Sequence, residues 1–277
     1  MKNFISPFII VLTAITLSAS LNSCKGAKAY VKRGAKMEAA GMIDQAADFY
    51  STALKKKPAN LDALSGLNRT GQIILSRHLA LFEEAILRSE KESAIRNFKN
   101  AESFYDKVYA LGVSLNFPDS KKAQYEAVKN DHVKDLYTIA TSHLEKLEYN
   151  QALKLLEEIT SLVPGFKDAA SLADYAFCTP AYDLAMTSMD DKLFRSAYES
   201  FSDVVNRDAT FKDASERLDE TLELGRFTIA LMSFKNGSNR RNINTKLSSY
   251  VEQNLMGSND PFLVVVDRES IDLILQE

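Results

Sequence analysis

The residues able to build a catalytic or metal site are few: three histidines, two cysteines and several pairs of adjacent carboxylates. His78, His132 and His143 are scattered, and none forms the H-E-x-x-H spacing that brings two imidazoles to one helix face. His143 falls on an apolar helical face, the place of a packing histidine rather than a ligand. Cys178 stands beside Thr179-Pro180 with no paired histidine in view, so it reads as a buried or free thiol. Glu83-Glu84, Glu157-Glu158 and Asp190-Asp191 are sequence neighbours, and neighbours on a helix do not share a face. They are solvated charges, not an acid/base pair. Asn236-Gly237-Ser238 could turn backbone N–H groups toward an anion, but a loop using glycine for flexibility is the simpler reading. Arg240-Arg241 beside it reads as solvated, and Asp267-Arg268 can pair locally or across a subunit boundary. The expectation is a chain with no catalytic centre, no metal and no cofactor. The one residue singled out for chemistry is Cys24.

Cys24 closes a distinctive leader. Met1-Lys2-Asn3 starts positive, Phe4 to Leu17 is almost wholly apolar, and small residues Ser18-Ala19-Ser20 follow. This is the layout of a secretory signal peptide, and the apolar run is too short to span a bilayer with confidence. The ending Leu21-Asn22-Ser23-Cys24 resembles the bacterial lipoprotein signal. That resemblance implies cleavage before Cys24, which becomes the first residue and carries palmitate-type acyl chains that anchor it to a membrane. Lys25-Gly26-Ala27-Lys28 contains no acidic residue, which in that family points to the outer membrane, with the protein facing the periplasm.

Behind the leader the composition is that of a globular body: 277 residues in all, 26% charged and 45% hydrophobic. Net charge is −3, and removal of residues 1–23 leaves 33 basic against 37 acidic residues. A broad nucleic-acid footprint is excluded by that balance. Two cysteines cannot form a disulfide framework.

Leu136 to Ala169 shows the organising pattern. Leu136, Ile139, Ala140, His143, Leu144 and Leu147 recur at helical spacing, then Ala152, Leu155, Leu156, Ile159, Leu162 and Val163 do so again before Pro164-Gly165. Phe194, Ala197, Tyr198, Phe201, Val204 and Val205 repeat the theme, and Phe-Lys-Asp-Ala occurs at 166–169 and 211–214, a shift of 45 residues. Asp213 with Glu216 has the form of a capping box, so this motif is expected to open a helix. Gly34, Gly41, Ala46, Tyr50, Ala53 and Pro58, with Tyr30 before them, resemble the tetratricopeptide repeat. In that pattern small residues let two helices approach, an aromatic fills the gap between them, and proline starts the turn. Tyr149, Ala152 and Pro164 match again, as do Phe194, Ala197 and Phe201, with Ala209 in place of the proline. Arg33 and Met37 depart from the usual residues. Gln72 to Leu111 is expected as two long helices or one kinked one, and Lys121 to Tyr137 as a further helix and a degenerate copy of the unit.

After Leu224-Gly225 the character changes. Arg226 to Phe234 and Phe262 to Asp267 read as strands, with a helix at Ile243, Leu247, Tyr250, Val251 and Leu255 between them. The connection is long enough for a parallel crossover, and the continuous apolar strands suggest burial on both faces. This tail resembles the start of the CsgG-type curli-assembly domain, on Ile229 to Phe234, Val265-Val266-Asp267-Arg268 and Leu273-Ile274-Leu275-Gln276-Glu277. Related folds occur in TolB amino-terminal domains and in lipoprotein activators of peptidoglycan synthases. The resemblance stops where the family continues into pore hairpins, so either the sequence is cut short or the tail packs on the helices or on a partner, and pore formation is not carried over.

The expected fold is mainly α: an α-solenoid of tetratricopeptide-like hairpins followed by a short βαβ piece. The expected domains are a signal peptide at 1–23, a helical repeat domain at 24–224 and a partial CsgG-like segment at 225–277. The expected function is a non-enzymatic, lipid-anchored periplasmic scaffold in an outer-membrane assembly or curli-like secretion system. Its partners would be envelope proteins held by the repeats, with homo-oligomers allowed and nucleic acid excluded. The alternative is a lipoprotein regulator of a peptidoglycan synthase.

Overall fold

The computed structural model describes residues 26–232 and 234–266. Cys24, Asp267-Arg268 and the helix expected at Ile271 to Leu275 lie outside the described residues. The elements in order are α1 (Ala27–Ala39), α2 (Ile43–Lys56), α3 (Leu61–Leu87), α4 (Lys91–Tyr109), α5 (Asp119–Glu145), α6 (Tyr149–Leu162), α7 (Ala169–Asp190), α8 (Phe194–Arg207), α9 (Ala214–Gly225), β1 (Phe227–Ala230), α10 (Ile243–Met256) and β2 (Leu263–Val266). Successive helices pack on one another as hairpins: α1 on α2, α2 on α3, α3 on α4, α6 on α7, α7 on α8 and α8 on α9. The fold is therefore mainly α, an array of helical hairpins ending in a two-stranded parallel sheet.

The turns inside the hairpins share one device. Gly41, Ser89, Leu147 and Lys192 each take positive φ, between 59° and 76°. At each, the residue's own N–H bonds three residues back and the next N–H bonds five back, as in Met42 to Met37, Glu90 to Ala85, Glu148 to His143 and Leu193 to Ser188. This is the Schellman ending, which satisfies carbonyls that the helix leaves open. Only the first of the four uses glycine; the other three hold a side chain in a left-handed conformation that costs about 1–2 kcal/mol. The turns between hairpins also repeat. Lys57 and Asp208 are extended, Val163 has φ −138° and ψ 87°, and each donates its N–H to the carbonyl four residues back, at 2.9, 2.8 and 2.8 Å for Lys57, Val163 and Asp208. Pro58, Pro164 and Ala209 follow, so the turn forms without proline in the third case.

Two expectations about helices change. Lys121 to Tyr137 and Leu136 to Leu147 are not separate helices but parts of the 27-residue α5, because no glycine, proline or cap interrupts 119–145. α5 opens at Asp119, out of the 45-residue register, so this block does not copy the Phe-Lys-Asp-Ala corner. The region Gln72 to Leu111 resolves as the two helices α3 and α4.

The chain divides into two units, Met1–Lys134 and Asp135–Glu277, and α5 contributes to both. The core of the first unit is built from Ala46, Tyr50, Ala53, Leu54, Leu67 and Leu75, all essentially buried. A second cluster in the same unit gathers Phe82 and Phe98, with Tyr125 stacked on Phe98 at 4.2 Å between centroids. Between α4 and α5 an extended segment lies along α3. Asn68 donates to Ser114 O (2.9 Å), and Gln72 both donates to Asn116 O (3.2 Å) and accepts from Asn116 N (2.8 Å). Alternate residues Val113 and Leu115 are buried beneath it.

In the second unit the core comprises Cys178, Ala185, Ala197, Phe201, Val204 and Ala214, each fully buried. Alanines recur there because a small side chain lets helix axes approach while a large neighbour, Phe201, fills the space. Pro180 lies inside α7, where it offers no N–H to the carbonyl one turn back. Beside it Thr179 Oγ1 is buried without a partner, the one such side-chain atom among the described residues.

The tail is the expected strand–helix–strand with parallel pairing, Phe227 opposite Leu263 through Ala230 opposite Val266. The strands are four residues each, shorter than the apolar runs. They are not buried on both faces: β1 is exposed except at Ile229, and β2 is half-buried except at Val264, which is exposed. Among the described residues, two strands and one helix do not supply the second layer that parallel sheets need.

Candidate protein-binding surface

Tyr50 shows how the first repeat is set. Its ring lies between Gly34 of α1 and Gly66 of α3; a Cβ on these glycines would approach it to 2.8 and 2.4 Å. The aromatic therefore fills the gap between two successive first helices, not only that within one hairpin as expected. Gly66 is the partner that sequence reasoning missed; its signal is one of two glycines, with Gly71, inside a helical run that proline does not interrupt. At the rim of this packing the Tyr50 hydroxyl donates to Glu38 Oε2 (2.7 Å), and Arg69 holds the same carboxylate through Nε (2.9 Å) and a second nitrogen (3.1 Å). Burial, and then the bond to Glu38, push the Tyr50 phenol up to about 12. The Arg69 hydrogen bond holds Glu38 below the usual carboxylate range.

The 45-residue shift marks a second device. Tyr137 donates to Asp168 at 2.6 Å and Tyr182 to Asp213 at 2.5 Å. Lys167 and Lys212 place their ammonium groups 4.0 and 4.1 Å from the centroids of those same rings. Phe166 and Phe211 meet the rings edge-on. Each corner ties a tyrosine of one first helix to the start of the next, so the Phe-Lys-Asp-Ala motif is a stacking latch. The motif does open helices α7 and α9, but the capping box does not form. The Asp213 carboxylate is taken by Tyr182 and by Arg217 Nε (3.0 Å) and makes no cap bond. Tyr182 stands 45 residues after Tyr137, a repeat that could have been read beside the motif itself.

The latches fix which side chains face out. Ala140 and Ala185, 45 residues apart, are fully buried; their neighbours Ile139 and Leu184 are 48% and 59% exposed. Ile139 was expected in the apolar face and instead points to solvent, and Leu147 does so too because it is the left-handed turn residue. Tyr175 adds an exposed ring on α7, edge-on to Tyr149 at 6.2 Å. Repeated outward apolar residues on consecutive first helices form the candidate binding surface of the second unit. On α3 of the first unit, Ile73 is exposed between Arg69 and Arg77, which pair with Glu38 and Asp44.

The other candidates are placed one by one. His143 Nδ1 lies 2.5 Å from Glu148 Oε2 across the α5–α6 turn, a local pair. His78 packs on Phe104, and burial lowers its pKa. Cys178 is buried with Sγ 3.9 Å from Val204 O, and burial pushes its thiol up, away from nucleophilic character. Glu83 and Glu84 turn to different partners, Lys121 and Arg88. Asn236 closes its own loop, accepting from Ser238 N (3.0 Å) and donating to Arg240 O (2.7 Å); Gly237 is not among the positive-φ glycines. The loop is thus held by the asparagine side chain rather than by glycine freedom. Among the described residues no group of three or more His, Cys, Asp or Glu could hold a metal. No described helix is long and apolar enough to cross a membrane.

No protein-family model and no curated protein matches the chain. Among solved structures it is similar to the TPR domain of P58(IPK), at 15% identity over 78% of this chain and 70% of that one, with a TM-score of 0.21. At that score the repeat architecture rests on this chain's own hairpins and their packing.

Proposed function

We propose that this protein is a non-enzymatic scaffold, held by acyl chains on Cys24 at the outer membrane and presenting its helical hairpins to the periplasm. The repeats hold envelope proteins belonging to an assembly or curli-like secretion system. The observation that carries the binding role is the outward pair Ile139 and Leu184 at equivalent places on α5 and α7, backed by buried Ala140 and Ala185. Stacked helical hairpins build extended surfaces of this kind. The tether rests on the leader ending in Leu21-Asn22-Ser23-Cys24.

The test has two parts. Cys24→Ala should move the protein from the membrane fraction to the soluble fraction of the envelope; retention in the membrane would remove the tether. Crosslinking in intact cells, with recovery of the lipidated chain, should then yield outer-membrane secretion components. Recovery of a peptidoglycan synthase instead would replace the secretion role with regulation of that enzyme.

A further inference from the structure

The tail carries an amphipathic helix whose apolar stripe faces away from the protein. With side chains spaced 100° apart, Ile243, Leu247 and Tyr250 of α10 fall on one stripe, and they are 40%, 48% and 66% exposed. The half-buried face of the helix is instead formed by Ser248, Val251, Glu252 and Leu255. Ser248 and Glu252 line a shallow cavity together with Met232, Phe234 and Val265. No residue of α10 is fully buried.

The charge leading into this stripe has one sign: residues 235–246 carry four basic residues and no acidic one. Residues 226–266 carry five basic residues (Arg226, Lys235, Arg240, Arg241 and Lys246) and two acidic ones (Glu252 and Asp260). Arg226 pairs with Glu223, and Asp260 is held by both terminal nitrogens of Arg195 at 3.1 and 2.6 Å. Glu252 lies on the side of the helix opposite Ile243. Arg240 and Arg241 precede the stripe at its amino-terminal end, and Lys246 flanks it. Residues 267–277 add one basic and four acidic residues, so the positive charge is local to the stretch 235–246.

We propose that α10 and the loop before it form a docking face for an anionic phospholipid surface. Ile243, Leu247 and Tyr250 would enter the interfacial region, and Arg240, Arg241 and Lys246 would meet the phosphates. A convex helix face with apolar side chains, an amphipathic tyrosine and flanking cations is the chemistry that lies flat on a membrane. An acidic protein groove would be met by the same charge, but the surface offers a rounded helix to a plane. This inference is independent of the lipid tether, because it uses only described residues of the tail.

The experiment uses the mature chain from residue 24 with Cys24→Ala, produced without residues 1–23, so that neither acyl chain nor leader contributes. Flotation is measured with vesicles containing phosphatidylglycerol and with vesicles of phosphatidylcholine alone. The expected result is binding to the first and not the second, released by added salt. Arg240→Glu with Arg241→Glu should weaken the partition by about 25-fold or more, taking about fivefold for each lost cation. Leu247→Glu with Tyr250→Glu should weaken it comparably, with the thermal melt of the helices unchanged because these side chains are exposed. Failure to float with anionic vesicles, or binding that both double variants leave intact, would overturn the proposal. Dimers in sedimentation without vesicles that both variants abolish would also overturn it, assigning the face to a second copy.

Discussion

The helical hairpins and the tail place similar apolar residues in opposite circumstances. In the hairpins Phe201, Val204 and Leu156 are fully buried, and Ile139 and Leu184 face solvent at matched positions beside the Tyr137 and Tyr182 latches. In the tail Phe227, Met232, Tyr250 and Val264 are exposed, and Phe262 is the one fully buried large side chain among its described residues. Phe262 is buried against the helices rather than within the tail. Tyr198 meets its ring edge-on at 5.2 Å, Arg195 stacks over it at 4.8 Å, and Gly225 leaves room for it. A hairpin array closes its own core one neighbour at a time, whereas the two-stranded parallel unit, among its described residues, buries its one core side chain against the array.

The largest effect should separate the two regions outright. Phe201→Ala is expected to cost about 3–5 kcal/mol through lost burial and the cavity left behind. Tyr250→Ala should change stability by less than about 0.5 kcal/mol. Chemical denaturation followed by helical circular dichroism measures both, and a similar cost for the two would erase the contrast. Phe262→Ala comes next, and its effect is local. Proteolysis should cut within 226–266 much faster, while the main helical unfolding transition moves little. A large shift of that transition would mean that the tail is part of the helical core.

A third change should stabilise. Leu147→Gly and Lys192→Gly relieve left-handed strain at turns where the side chain is open to solvent, and each should raise stability by about 0.5–1 kcal/mol. Thermal melts of the single and double variants would show it, and additive gains would fit two independent turns. The smallest effect is electrostatic. Glu38 titrates below its ordinary range in the folded chain, so its contribution is present above the unfolded pKa and is lost as pH falls through the folded one. Glu38→Gln should cost at most about 1 kcal/mol at neutral pH, discounted because Arg69 is open to solvent. The difference from wild type should vanish in acid, as read from melting temperature against pH.

Much of the hairpin array was legible because alanine and aromatic spacing follows the helical period, and because proline or a repeated Phe-Lys-Asp-Ala marks the corners. Its turns were less legible: Ser89, Leu147 and Lys192 adopt a conformation that their side chains do not announce. The continuity of α5 was hidden because the apolar period that begins at Leu136 looks like the start of a new unit, although no residue within 119–145 ends a helix. Strand and helix were identifiable in the tail, but burial was not, since apolar content does not say whether a second layer exists. For the surface itself, Ile139 and Ala140 carry similar apolar signals; only the packing shows which faces in.

The most direct test of the scaffold reading places a photo-crosslinking residue at Leu184, at Ile139 and, as a control, at the exposed turn residue Lys192, in living cells. The account predicts discrete crosslinked products with one envelope partner from Leu184 and Ile139, and none from Lys192. Products from Lys192 alone, or no product from either helix position in a folded and membrane-attached protein, would contradict a binding surface built from the repeated outward residues.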